Sequence, residues 1–144
     1  MRKLPSRWLT GIAALLVLLS VQRSVAAQPA PEVRGERAAS AWLKLLDNGQ
    51  YAQSWQDSSS YFRKRVTESD WVSTIASLRQ TLGGLAAREL SSTGIATSLP
   101  GAPDGNYVVI QYDTSFTNKR SASETVIMML DKDGQYRLAG YFIR

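Results

Sequence analysis

The sequence predicts an α+β fold in which N-terminal helices pack on one face of a four-stranded antiparallel meander sheet. Up to about Thr81, apolar residues recur at three- and four-residue spacing, which is typical of amphipathic helices. From Leu85 onwards they mostly alternate with polar residues, as half-buried strands require. Turn sequences at residues 104–105 and 131–134 separate the alternating segments, so consecutive strands are expected to pair with each other.

Residues 1–27 are predicted to be a secretory signal peptide. Basic residues open the segment, residues 9–21 are almost entirely apolar, and residues 24–27 are mostly small. Cleavage is expected after Ala27 or Ala26. The apolar run is shorter than the roughly 20 residues that a membrane-spanning helix needs. The sequence therefore predicts a periplasmic or secreted protein without a stable membrane anchor after cleavage.

Charge and composition narrow the classes of function. Four of the 17 basic residues lie in the predicted signal and all 12 acidic residues lie beyond it, so the remaining chain carries a net charge of only +1. A nucleic-acid surface is therefore not expected. The chain has no cysteine and no histidine, which excludes disulfides, a lipid-modified cysteine and nucleophile systems that depend on either residue. Neither a metal site nor a cofactor is expected.

A single domain is predicted over residues 37–144, preceded by a short linker at residues 28–36. Thr67 and Asp70 form a capping-box pattern at the start of one helix, and Gly49 marks the end of another. Helices are predicted over residues 32–48 and 50–56, over a short segment that carries Tyr61, Phe62 and Val66, and over residues 68–81.

Strands are predicted over residues 85–97, 106–116, 123–130 and 135–143. The first contains Gly94 and many Ser and Thr residues, which suits an edge position, whereas residues 125–130 are apolar on both faces and suit a central one. In the second strand, Val108 and Ile110 share one face and Asp113 lies on the other. Asp113 is therefore expected to face water.

Six short motifs together point to a family. They are A-W-L at residues 41–43, Y-A-Q-S-W at 51–55, P-G-A-P-D-G-N-Y at 100–107, F-T-N-K at 116–119, E-T at 124–125 and G-Y-F-I at 140–143. Over about residues 37–144 they resemble the bacterial exported family called domain of unknown function 4019. The resemblance implies a small exported domain with a cystatin-like or nuclear-transport-factor-2-like cone shape. It implies no catalytic residues, because the family has no established activity.

The candidate site residues each have two interpretations. Lys119 and Glu124 flank residues 120–123, a predicted hairpin connection, and either pair with each other or contact a ligand. Residues 63–65, Arg-Lys-Arg, either form a solvated helix face or contact an acidic polymer or lipid headgroup. The aromatic residues either form a solid core or line an apolar pocket; they are Trp42, Tyr51, Trp55, Trp71, Tyr112 and Phe116.

Two functions follow from these observations. The first is a non-enzymatic binding or protein-interaction module, whose partner is an envelope protein or a small apolar ligand. The second is a small enzyme in which an acid such as Asp113 transfers a proton with help from the hydroxyl of Tyr51 or Tyr112. An acid beside a tyrosine hydroxyl in an enclosed cavity favours the enzyme, and a filled interior favours the binding module.

Overall fold

A computed structural model describes residues 26–144, which form four helices followed by four strands. The predicted signal peptide lies almost entirely outside these residues. In chain order the elements are α1 (Pro31–Asp47), α2 (Tyr51–Gln56), α3 (Ser60–Arg65), α4 (Glu68–Leu82), β1 (Leu85–Ala96), β2 (Tyr107–Phe116), β3 (Lys119–Leu130) and β4 (Tyr136–Ile143). The α+β prediction is confirmed. None of the helices within the described residues is long and apolar enough to cross a membrane.

Helix α1 begins earlier than the domain division predicted. It starts at Pro31, so most of the predicted linker at residues 28–36 is helical. A proline is well suited to this position, because its backbone nitrogen needs no hydrogen-bond partner in the first helical turn. Helix α4 begins at the predicted cap, where the Thr67 hydroxyl accepts from the Asp70 backbone N–H and donates to the Asp70 carboxylate.

The four strands form one antiparallel sheet in the order β1-β2-β3-β4, the predicted meander with β1 at an edge. The predicted hairpin connection at residues 120–123 is wrong. Phe116 pairs with Lys119, so the turn consists of Thr117 and Asn118, and β3 is longer than predicted. Residues 119–121 are polar because they lie in an exposed part of β3, not because they form a turn.

The helices cover one face of the sheet, called here the inner face. Even-numbered residues of β2, including Val108 and Ile110, point to this face and are fully buried against α1 and the other helices. A smaller cluster of Leu82, Phe116 and Ala122 closes the core at the far end. The opposite face, called the outer face, has no helix over it within the described residues.

Candidate functional site

A large open groove of about 1270 Å³ lies beside helix α1, at the end of the sheet that carries the β3–β4 turn. Its apolar wall comes from one side of α1, at Trp42 and Leu45, and from the sheet at Met128, Leu130 and Tyr136. Two small residues of α1, Ala38 and Ala41, also line the groove and leave it wide. The β1–β2 loop is tied to the groove's far wall, because the Tyr61 hydroxyl donates to the Gly101 carbonyl at 3.0 Å.

The rim of the groove has more free positive than free negative charge. Arg63, Lys64 and Lys132 line it, and none of the three has an ion-pair partner within residues 26–144. Two of the rim carboxylates, Asp131 and Asp133, are already bound by Arg137 at 3.0 and 2.7 Å. The hydrogen bonds from Arg137 lower the pKa of Asp133 to about 2.

The third rim carboxylate, Asp57, accepts a hydrogen bond from Gln53 at 2.8 Å. The groove therefore offers an apolar wall and cations that are free to meet an anion.

A second feature is a buried network of charged side chains between the helices and the sheet. Its centre is Glu124, whose side chain is 0 % exposed. One carboxylate oxygen accepts from Arg88 Nε at 2.7 Å and from the Thr114 hydroxyl at 2.6 Å. The other accepts from the Tyr141 hydroxyl at 2.5 Å and from Arg88 Nη2 at 3.3 Å. All four strands thus contribute one side chain to this carboxylate network.

The helices complete the network with one acid and one base. Asp47, at the end of α1, binds Arg88 at 2.7 Å and Arg79 of α4 at 2.9 Å. The two carboxylates and two guanidinium groups therefore have no net charge, and each buried charge has the opposite charge beside it that burial requires. Burial raises the pKa of Asp47, but hydrogen bonds from Arg88 and Arg79 and their charges outweigh it, so this pKa lies below its usual value. Burial and the neighbouring Glu124 carboxylate raise the pKa of Tyr141.

Arg79 is the least satisfied member of the network. Its Nε and Nη2 atoms are buried without a hydrogen-bond partner, and Nη2 lies 3.8 Å from Glu124. The guanidinium carbon lies 5.2 Å from the centre of the Phe116 ring, so the ring face supplies part of the stabilisation that hydrogen bonds would otherwise give.

The Y-A-Q-S-W motif has a structural explanation centred on Ser54. The Ser54 carbonyl accepts from the Trp42 indole at 2.8 Å, and its hydroxyl accepts from the Trp71 indole at 2.9 Å. The Trp55 indole donates to the Val66 carbonyl at 2.8 Å. Because buried indole N–H groups need partners, this motif fixes three tryptophans and with them the packing of the helical layer.

The structure places most of the predicted aromatic set in the core. Trp42, Trp71, Tyr112 and Phe116 are buried, whereas Tyr51 and Trp55 are partly buried at its border. Of the six, only Trp42 lines the groove. These aromatic residues therefore belong to the core or its border, and only Trp42 also lines a pocket.

The other candidates fall in different places. Asp113 is exposed on the outer face, and its neighbour Tyr112 points to the inner face, so these two residues do not form an acid–tyrosine pair. Lys119 is exposed next to the β2–β3 turn. The predicted pairing of Lys119 with Glu124 is wrong, because Glu124 points into the core and binds Arg88, Thr114 and Tyr141.

Sequence reasoning missed the network and most of the groove. One signal was present: Arg79 lies four residues after Ile75 and eight after Trp71, on the apolar stripe of α4. Glu124 likewise shares the phase of Val126 and Met128 in β3. A charged residue at a position that periodicity assigns to the core indicates a buried ion pair.

The comparisons with known proteins bear on the fold and on the family separately. A protein from Catenulispora acidiphila is similar in structure, with a TM-score of 0.51, 10% sequence identity and coverage of 78% of this chain and 88% of that chain. Aln2 from a Streptomyces species is similar with a TM-score of 0.50, 10% identity and coverage of 82% and 93%. At this identity the likeness concerns the fold alone.

No curated protein matches the chain. The family described as "Protein of unknown function (DUF4019)" matches residues 38–141, which include all four helices in whole or in part and nearly the whole sheet. The sequence motifs at Trp42 and Ser54 lie inside this match and account for the packing of its helical layer. The chain belongs to the DUF4019 family.

Proposed function

We propose that the protein is an exported, non-enzymatic binding module whose groove holds a small apolar ligand that carries an anionic group. The observation that carries the proposal is the combination of an apolar wall with unpaired cations on the rim. Ala41, Leu45 and Leu130, the more accessible apolar lining residues, offer contacts to the body of such a ligand, and Lys64 and Lys132 lie where its charge would be. Export is inferred from the signal-like residues 1–27.

The ligand is proposed to be small rather than a folded partner, because the site is concave. The volume of about 1270 Å³ lies somewhat above the roughly 300–1,000 Å³ usual for small-molecule sites, as expected for a groove that is open on one side. Electrostatic attraction by the rim would steer an anion towards the wall and would weaken as salt is added.

The geometry does not favour the enzyme alternative. Glu124 and Tyr141 are an acid–tyrosine pair of the kind that the alternative needs, but neither lines the groove. Every hydrogen-bond position of the Glu124 carboxylate is filled by protein donors. A general base must reach the proton of its substrate, and this carboxylate is enclosed on all sides.

Binding is tested with 1-anilinonaphthalene-8-sulfonate, an aromatic probe with one negative charge, on the mature protein beginning at Gln28. We expect saturable binding that is stronger than that of the uncharged analogue N-phenyl-1-naphthylamine. Ala41→Trp fills the groove from α1 and should abolish binding. Lys64→Glu should weaken binding of the charged probe about tenfold and leave the uncharged one nearly unchanged, in keeping with about 1.4 kcal/mol per factor of ten.

The matched control is Arg120→Glu, a charge reversal at an exposed site in β3 that does not line the groove. It should leave the affinity for both probes unchanged at moderate salt, because Arg120 lies eight residues along β3 from Met128 of the groove, roughly 27 Å, which exceeds the Debye length of about 10 Å. Absence of saturable binding, or binding that Ala41→Trp leaves intact, would contradict the groove as the ligand site.

Export is tested separately by intact-mass analysis of the envelope fraction. The protein should begin at Gln28 or Ala27. Recovery of the uncleaved chain in the cytoplasm would contradict export.

A further inference from the structure

The outer face of the sheet has an apolar centre that nothing in residues 26–144 covers. Phe142 of β4 is 56 % exposed there, and its ring lies over Gly140. Val109 and Ile127 pair directly across β2 and β3 in the middle of the same face and are only partly buried. A half-exposed phenylalanine beside two β-branched residues is an apolar patch of the sort that marks an interaction surface.

The strand registers arrange the residues of this face in three rows that run from β1 to β4. The rows are Glu89, Asp113, Ser123 and Arg144; then Ser92, Gln111, Thr125 and Phe142; then Gly94, Val109, Ile127 and Gly140. In each of the first two rows, β1 contributes a smaller side chain or an acid, and the β4 side contributes Phe142 or an arginine. The side chains at the β1 edge of the face therefore differ from those at the β4 edge in both size and charge.

We propose that this outer face binds a second copy of the same chain. A two-fold axis parallel to the strands, between β2 and β3, would place β1 of each copy over β4 of the other. Val109 of one copy would then meet Ile127 of the other at the centre. Such an interface is self-complementary, because each contact occurs twice with the roles of the two copies exchanged.

Shape favours this axis. Phe142 is the largest exposed side chain on the face, and the axis sets it over Ser92 and Gly94 of the second copy. A Cβ added at Gly94 would have no atom within 4 Å, so the space above this glycine is open in the single chain. Two sheets that pack face to face lie about 10 Å apart, a gap that one aromatic ring and a glycine fill well.

Charge favours the same axis. Glu89 and Asp113 are directly opposite each other on β1 and β2, where two like charges repel. Neither has an ion-pair partner within the described part of the chain. Arg144, in the same row on the β4 side, would lie over Glu89 of the second copy. The pairing would relieve the repulsion twice in each dimer.

The available area suffices for a modest dimer. Four strands spaced about 4.8 Å apart and roughly eight residues of each strand give about 500–600 Å² per copy. The two copies together would bury about 1,000–1,200 Å², which is near the lower limit for a specific interface. The dimer is therefore expected to be a weak one that exchanges with its monomer.

The test is the molar mass of the mature protein by light scattering and sedimentation between about 1 and 100 μM, a range in which a weak specific dimer should form as concentration rises. We expect twice the monomer mass at the upper end. Gly94→Arg should give a monomer throughout, since the added side chain has free space in one copy but meets Phe142 of the other. Phe142→Glu should also give a monomer.

The matched control is Ile95→Glu. Ile95 is 63 % exposed, comparable to Phe142, but belongs to the inner face of β1, so its replacement should leave the dimer intact. Glu89→Arg should weaken the dimer at least about tenfold, and mixing it with Arg144→Glu should restore association between the two variants.

A monomer at 100 μM for the unmodified protein would overturn the proposal. So would a dimer that persists in Gly94→Arg and Phe142→Glu, because a different face would then form it. Far-UV circular dichroism of each variant establishes that it is folded. The groove lies on the other side of the sheet, so loss of the dimer is distinguished from loss of probe binding.

Discussion

Replacement of Glu124 by leucine should be among the most destabilising single changes in this chain. Glu124 is 0 % exposed, and Glu124→Leu leaves Arg88 with only one of its two carboxylate partners. It also leaves the hydroxyls of Thr114 and Tyr141 without their acceptor. Removal of one partner from a buried ion pair costs about 3–5 kcal/mol, because the remaining charge stays buried.

The network also predicts a rescue. Asp47 and Arg79 bind each other at 2.9 Å without help from Arg88, so they remain a balanced pair when Arg88 and Glu124 are both absent. The double variant Arg88→Met with Glu124→Leu should therefore be at least as stable as Glu124→Leu alone, because the second change removes the guanidinium that the first left partly unpaired, so the two costs are far from additive.

Urea denaturation followed by far-UV circular dichroism measures both free energies of unfolding. A cost below about 1 kcal/mol for Glu124→Leu would refute the burial argument, since that value belongs to surface substitutions. A double variant less stable than Glu124→Leu would refute the division of the network into two balanced pairs. The slope of the transition should stay constant, because the fold is unchanged.

Three further outcomes are expected. Trp42→Ala should cost about 3–5 kcal/mol in chemical denaturation, because it empties a core site and removes one of the two donors to the Ser54 carbonyl, leaving the Ser58 hydroxyl; a loss below about 1 kcal/mol would place Trp42 in a loose site. Asp113→Asn should change stability by no more than about 0.5 kcal/mol, and it should rescue whatever phenotype a deletion strain shows. The ionised Asp47 should stabilise the fold fully above its unfolded pKa near 3.8, and this stabilisation should be lost as pH falls through its lower folded pKa. The free energy of unfolding of Asp47→Asn should therefore fall less steeply with decreasing pH over that range than that of the unmodified protein.

Periodicity predicts the sheet well because its alternation is strong where one face is buried. The even-numbered residues of β2 point inward as Val108 and Ile110 predict, and the exposure of Asp113 follows from the same phase. The predicted start of β3 is wrong because residues 120–123 are polar, and polarity alone does not separate a turn from an exposed strand. The helix predicted over residues 32–48 is found as α1, so the part of the predicted linker that overlaps it is helical; Pro31 begins α1 and suits its first turn.

The candidate site was less predictable than the fold for a physical reason. The Glu124 network joins residues from α1, α4 and all four strands, and the groove joins α1, α3 and the β3–β4 turn. Such sites depend on how elements pack, which local patterns do not determine. The single local signal, a charge on an apolar stripe, identifies Arg79 and Glu124 as buried but does not name their partners.

The position of the tryptophans has a spectroscopic consequence. Trp42, Trp55 and Trp71 all lie in helices, and the strands contain tyrosine and phenylalanine instead. Indole emission of the mature protein would therefore report on the helical layer and its contact with the sheet, because Trp42 and Trp71 pack against Tyr141 of β4, whereas the far-UV amide signal comes from helices and strands together. Coincident transitions by the two signals would show that the layers separate in one step, as the ion pairs between them imply.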